Sequence, residues 1–64
     1  MDRHSANNGM KVFIYDKKES KKIAVIGNVT NAISFPNHRL MLVQRSGDVT
    51  EWDTQRFKIT LYQN

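Results

Sequence analysis

An all-β domain, a small antiparallel meander of five or six strands forming a barrel or sandwich, is predicted by three features of the sequence. Apolar and polar residues alternate in short runs, the runs are rich in β-branched and aromatic residues, and turn residues separate them about every eight to twelve positions. A helix starting near Lys18 is the rival for one segment, but its β-branched residues and the Gly27-Asn28 break argue against a long one, and no internal repeat or low-complexity segment is present.

The elements follow in order. Met1 to Gly9 are polar and aperiodic, and residues 1–9 are read as a disordered tail, with 10–64 as the single β domain. Met10-Lys11-Val12 has the form of a protein start. Val12 and Ile14 alternate with Phe13 and Tyr15, a strand of strong β-formers. Asp16 to Lys21 is a charged connection, and Ile23-Ala24-Val25-Ile26 reads as a short buried strand. After the Gly27-Asn28 break, Val29, Ile33 and Phe35 fall on one face, with Thr30, Ala32 and Ser34 on the other. Pro36-Asn37-His38 is a turn, Arg39 to Gln44 a strand, and Ser46-Gly47-Asp48 a hairpin turn. Val49 to Trp52 is a short strand and Asp53-Thr54-Gln55 another turn. The clearest strand is the last, Phe57 to Tyr62, with Phe57, Ile59 and Leu61 inward and Lys58, Thr60 and Tyr62 outward. The expected core is Val12, Ile14, Ile23, Val25, Val29, Ile33, Phe35, Leu40, Leu42, Trp52, Phe57, Ile59 and Leu61.

From Val29 onward the rhythm of Leu40-Met41-Leu42, a Ser46-Gly47-Asp48 hairpin and Trp52-Asp53 before an alternating final strand resembles the short all-β proteins of phages and mobile elements of Gram-positive bacteria. The resemblance covers residues 29–62. That group shares no common activity, so it implies a fold and a phage-like setting, not a reaction.

Composition narrows the function classes. Sixty-four residues without cysteine exclude disulfides and thiolate zinc sites, and a chain of this size has a modest core. The longest apolar run is four residues, Ile23 to Ile26, against the roughly 20 a membrane-spanning helix needs. With no signal for secretion or insertion, the expected location is cytoplasmic and no membrane partner is expected. His4 and His38 have no neighbour suited to acid–base work. Asp48, Glu51 and Asp53 are explained by turn chemistry, and the three glycines are too scattered to cradle a phosphate. An enzyme is therefore not expected, and no catalytic, metal-binding or cofactor-binding residue is assigned.

The basic residues carry the remaining information. Ten Lys and Arg against six Asp and Glu give a formal net charge of +4, a bias toward anionic partners that solubility alone also explains. Lys17, Lys18, Lys21 and Lys22 cluster around one connection, and Tyr15 and Tyr62 fall on outward positions. The expected function is a non-enzymatic binding module, a protein-interaction or accessory factor that docks a protein partner or forms a homodimer through its edge. The alternative is a nucleic-acid-binding small barrel that uses Lys17, Lys18, Lys21 and Lys22 with Tyr15 and Tyr62.

Overall fold

A computed structural model describes residues 9–62. Five strands are found: β1 (Met10–Asp16), β2 (Lys21–Phe35), β3 (Arg39–Gln44), β4 (Val49–Asp53) and β5 (Phe57–Tyr62). All neighbours pair antiparallel in one sheet of order β4-β3-β2-β1-β5. The first four strands are a meander, and β5 returns to the far side of β1. The expected tail lies, except for Gly9, outside the described residues. Gly9 takes φ +77° and sits so close to β2 that a Cβ would come 2.8 Å from the Val29 carbonyl oxygen.

The Gly27-Asn28 break does not separate two strands. β2 runs for 15 residues through it. A straight strand of that length spans about 45 Å, more than the molecule's longest dimension of 40 Å, so β2 must bend. It bends at Asn28, whose φ of 55° lies in the left-handed region that Asn tolerates. The carbonyls of the bend are occupied: Gln44 Nε2 donates to Gly27 O at 2.9 Å, and Arg45 N donates to Asn28 O at 2.8 Å. On one side of the bend β2 pairs with β1, on the other with β3, and Val29 pairs with both Met10 and Gln44. The sheet thus has two halves that share β2.

Val12, Ile14, Val29 and Leu42 are fully buried, with Met10, Ala24, Ile26, Leu40, Trp52, Phe57 and Ile59 packed around them. Four expected core residues are instead exposed: Ile23 (47%), Val25 (48%), Ile33 (40%) and Leu61 (44%). Val25 pairs with outward Phe13, so Ala24 and Ile26 take the inner face, and Ile23 falls at a register shift. Beyond Val29 one extra residue in β2 opposes β3, which reverses the parity of Ile33 and Phe35. Leu61 has the expected phase, opposite Val12, but among the described residues no strand covers it.

The two edge strands are joined by a tight turn, in which Arg56 N donates to Asp53 O at 3.1 Å. There the rings of Trp52 and Phe57 meet edge to face. Away from that turn β4 and β5 do not pair, so the sheet is curled and open, not a closed barrel. Trp52 is half-buried, and its indole N–H donates to Thr50 Oγ1 at 2.9 Å.

Candidate functional site: a basic, aromatic sheet face

The alternation of β1 sets Lys11, Phe13 and Tyr15 on the side opposite the core, because Val12 and Ile14 occupy the inner side. β5 does the same with Lys58, Thr60 and Tyr62. Antiparallel pairing then assembles rows across the face. Tyr15 stands opposite Lys58 on β5 and Lys22 on β2; Phe13 stands opposite Thr60 and Val25; Lys11 stands opposite Tyr62. The Phe13 and Tyr62 rings touch diagonally, centroids 6.2 Å apart and tilted by 32°. Lys22 Nζ sits 5.3 Å from the Phe13 centroid, a cation–π contact. Tyr62 is the most open ring, 55% exposed.

Charge on this face has one sign. Among the described residues no Asp or Glu takes an outward position in its rows: Asp16 is the last residue of β1, Glu19 lies in the turn that follows, and Asp48, Glu51 and Asp53 belong to the β3–β4 half. Asp16 has the inward phase, and its Oδ1 accepts from the backbone N–H groups of Lys18 (2.9 Å) and Glu19 (3.3 Å), which closes the turn. Glu51 is held by Arg39 at 3.2 Å.

Of the residues expected from sequence, Tyr15, Tyr62 and Lys22 share the face. Lys17 and Lys18 lie in the β1–β2 turn at its end, exposed. Lys21 pairs with Asp16 and has the opposite phase to Lys22, so it leaves the face. The site also includes Lys11, Phe13 and Lys58. Their alternation is visible in the sequence, but the β1–β5 register that sets Lys58 beside Tyr15 is not.

Lys17 ties two turns together. Its backbone N–H donates to Arg56 O at 3.1 Å and its Nζ to Thr54 O at 2.8 Å. Two open clefts flank it. One, of about 290 Å³, is lined by Tyr15, Asp16, Lys17, Ser20 and Lys58. The other, of about 400 Å³, is lined by Asp16, Lys17, Lys18, Gln55 and Arg56.

The outward face of the other half has a different chemistry. Ile33 pairs with Met41, and Val43 with Val49, with the exposed Arg39–Glu51 pair beside them. Among the described residues no group of three His, Asp or Glu converges as metal ligands, and no helix is long and apolar enough to cross a membrane. The chain matches no protein-family model, no curated protein and no solved structure.

Proposed function

We propose that the protein is a non-enzymatic module that binds single-stranded nucleic acid on the outward face of β5, β1 and the first half of β2. The observation that supports this is the composition of that face: Phe13, Tyr15 and Tyr62 interleaved with Lys11, Lys22 and Lys58, and no carboxylate among them. Rings that stack on bases beside cations that follow phosphates are the two parts of a sequence-tolerant single-strand site. A duplex hides its base faces, so the rings favour single strands. Such a module acts in the cytoplasm as an accessory factor, in keeping with the phage-like rhythm of residues 29–62.

The test is a fluorescence-anisotropy titration of a labelled oligothymidylate and of a duplex of equal length, at two salt concentrations. The single strand binds more tightly, and affinity falls as salt rises because counterions compete for phosphate contacts. Equal affinity for the duplex, or no binding at low salt, overturns the reading.

A second reading, docking to another copy of the chain, is favoured by the apolar outward face of the β3–β4 half. Ile33 and Val49 are 40% and 53% exposed there. The Arg39–Glu51 pair gives the patch both signs of charge, which makes it self-complementary across a two-fold axis. The two readings use different halves of the sheet and are compatible. Sedimentation velocity at rising concentration tests the second; a single monomeric species at high micromolar concentration rejects it.

A further inference from the structure

The cationic residues at the end of the aromatic face are organised more tightly than the aromatic face itself. Three turns meet there. Lys17 binds the β4–β5 turn through both its backbone N–H and its Nζ. Thr54, in that turn, donates its N–H to His38 O at 2.8 Å and its hydroxyl to the same carbonyl at 3.2 Å, which anchors the β2–β3 turn. Gln55 N donates to Asp53 Oδ1 at 2.9 Å, which fixes the turn's shape. Arg56 lays its guanidinium 5.2 Å from the Phe57 ring centroid.

The result is a notch of two clefts on either side of Lys17, with Lys58 and Tyr15 lining one and Lys18 and Arg56 the other. Lys17 Nζ is bonded to a carbonyl, not a carboxylate. Lys18 and Lys58 are exposed, and Arg56 rests on a ring. Asp16 is the opposing charge, since it lines both clefts. Its Oδ1 is taken by two backbone N–H groups of the turn, so part of its field is already answered. Each cleft is lined by more cations than carboxylates, Lys17 and Lys58 in one and Lys17, Lys18 and Arg56 in the other against Asp16, so the notch is cationic. Tyr15 forms one wall and is also the last ring of the aromatic row, so a phosphate in the notch lies next to a base stacked on that row.

We infer that the notch formed by Lys17, Lys18, Arg56 and Lys58 is a phosphate-binding site, and, resting on the single-strand reading, that the phosphate it takes belongs to the strand lying along β1. The notch then fixes one end of the bound strand, where the open sheet face by itself would let it slide. Asp16 limits the affinity, being the carboxylate that lines both clefts.

Two measurements test this. The first follows ¹H–¹⁵N spectra of the full chain during titration with pyrophosphate at low salt. The amides of Lys17, Lys18 and Arg56 shift, while those of Met41 and Val43 stay. The second measures oligothymidylate affinity for Arg56→Gln, Lys58→Gln and Asp16→Asn, each checked for the native fold by its spectrum. Arg56→Gln and Lys58→Gln each weaken binding by about three- to tenfold at low salt and reduce the salt slope by about 0.7, the value per phosphate contact on a single strand. Asp16→Asn keeps the oxygen that closes the turn and removes the charge, so it tightens binding, an effect that a purely structural role for Asp16 does not produce. Pyrophosphate shifts in the notch without oligothymidylate binding keep the site, assign it to a free phosphate compound, and reject the single-strand reading. Oligothymidylate binding that ignores all three substitutions, with no pyrophosphate shifts in the notch, overturns the inference and leaves the single-strand reading standing.

Discussion

The indole of Trp52 and the ring of Phe57 meet edge to face, centroids 5.4 Å apart and planes at 87°. They flank the turn between the two edge strands, so this contact ties β4 to β5 beside the turn's own hydrogen bond, beyond which the two strands do not pair. Edge-to-face pairs add about 0.5–1.5 kcal/mol beyond the area they bury. Trp52→Ala also removes a half-buried indole and is expected to cost about 3 kcal/mol, the lower end for large aromatics. Phe57→Leu keeps the bulk, loses the ring contact, and costs about 1 kcal/mol. Urea denaturation followed by circular dichroism measures both.

The bend of β2 depends on the backbone of Asn28 at φ 55°. A β-branched residue resists that conformation, so Asn28→Val is expected to lose about 1–2 kcal/mol. Asn28→Gly, which needs no strained geometry, should change stability by only a few tenths of a kcal/mol. Thermal melts of the pair separate a backbone requirement from a side-chain one.

The parity of β2 is testable by two neighbouring substitutions. Val25 is 48% exposed beside Phe13, so Val25→Thr should cost under about 0.5 kcal/mol. Ile26 packs against the core opposite Val12, so Ile26→Thr should cost about 1–2 kcal/mol. Equal costs would show that the register is wrong.

On the aromatic face, Tyr62→Ala and Phe13→Ala are expected to weaken oligothymidylate binding by about 1–3 kcal/mol each, the measured range for a base–ring stack. Tyr62 is the more exposed and should lose more. Their joint loss should be less than the sum, because the two rings touch.

Four of the five strands were legible in the sequence because each is bounded by a turn with its own chemistry, whereas β2 was read as two strands split at Gly27-Asn28. Arg39–Gln44 and Phe57–Tyr62 are found with the expected limits, between Pro36-Asn37-His38, Ser46-Gly47-Asp48 and Asp53-Thr54-Gln55. The faces were legible only where alternation was clean, as in Val12 and Ile14. In Ile23 to Ile26 four apolar residues fit either phase, and the register shift beside Ile23 decides it. Ile33 was misplaced because an extra residue after Val29 reverses every later side chain, and nothing in Val29-Thr30-Asn31 announces it. In the candidate site, Phe13, Tyr15, Lys58 and Tyr62 were visible as outward residues, and Lys22 only as a member of the lysine cluster around the β1–β2 connection. Lys58 and Arg56 were not visible as partners of Lys17 and Tyr15, because that closeness comes from β5 pairing with β1 across more than 40 positions of sequence.

Binding of nucleic acid to the outward face of β5, β1 and the first half of β2 is decided by mapping oligothymidylate onto the full chain with ¹H–¹⁵N spectra at low salt. Shifts are expected at Lys11, Phe13, Tyr15, Lys22, Lys58, Thr60 and Tyr62, with unmoved signals at Ile33, Met41, Val43 and Val49. Shifts confined to the β3–β4 half, or none at any residue, would contradict it.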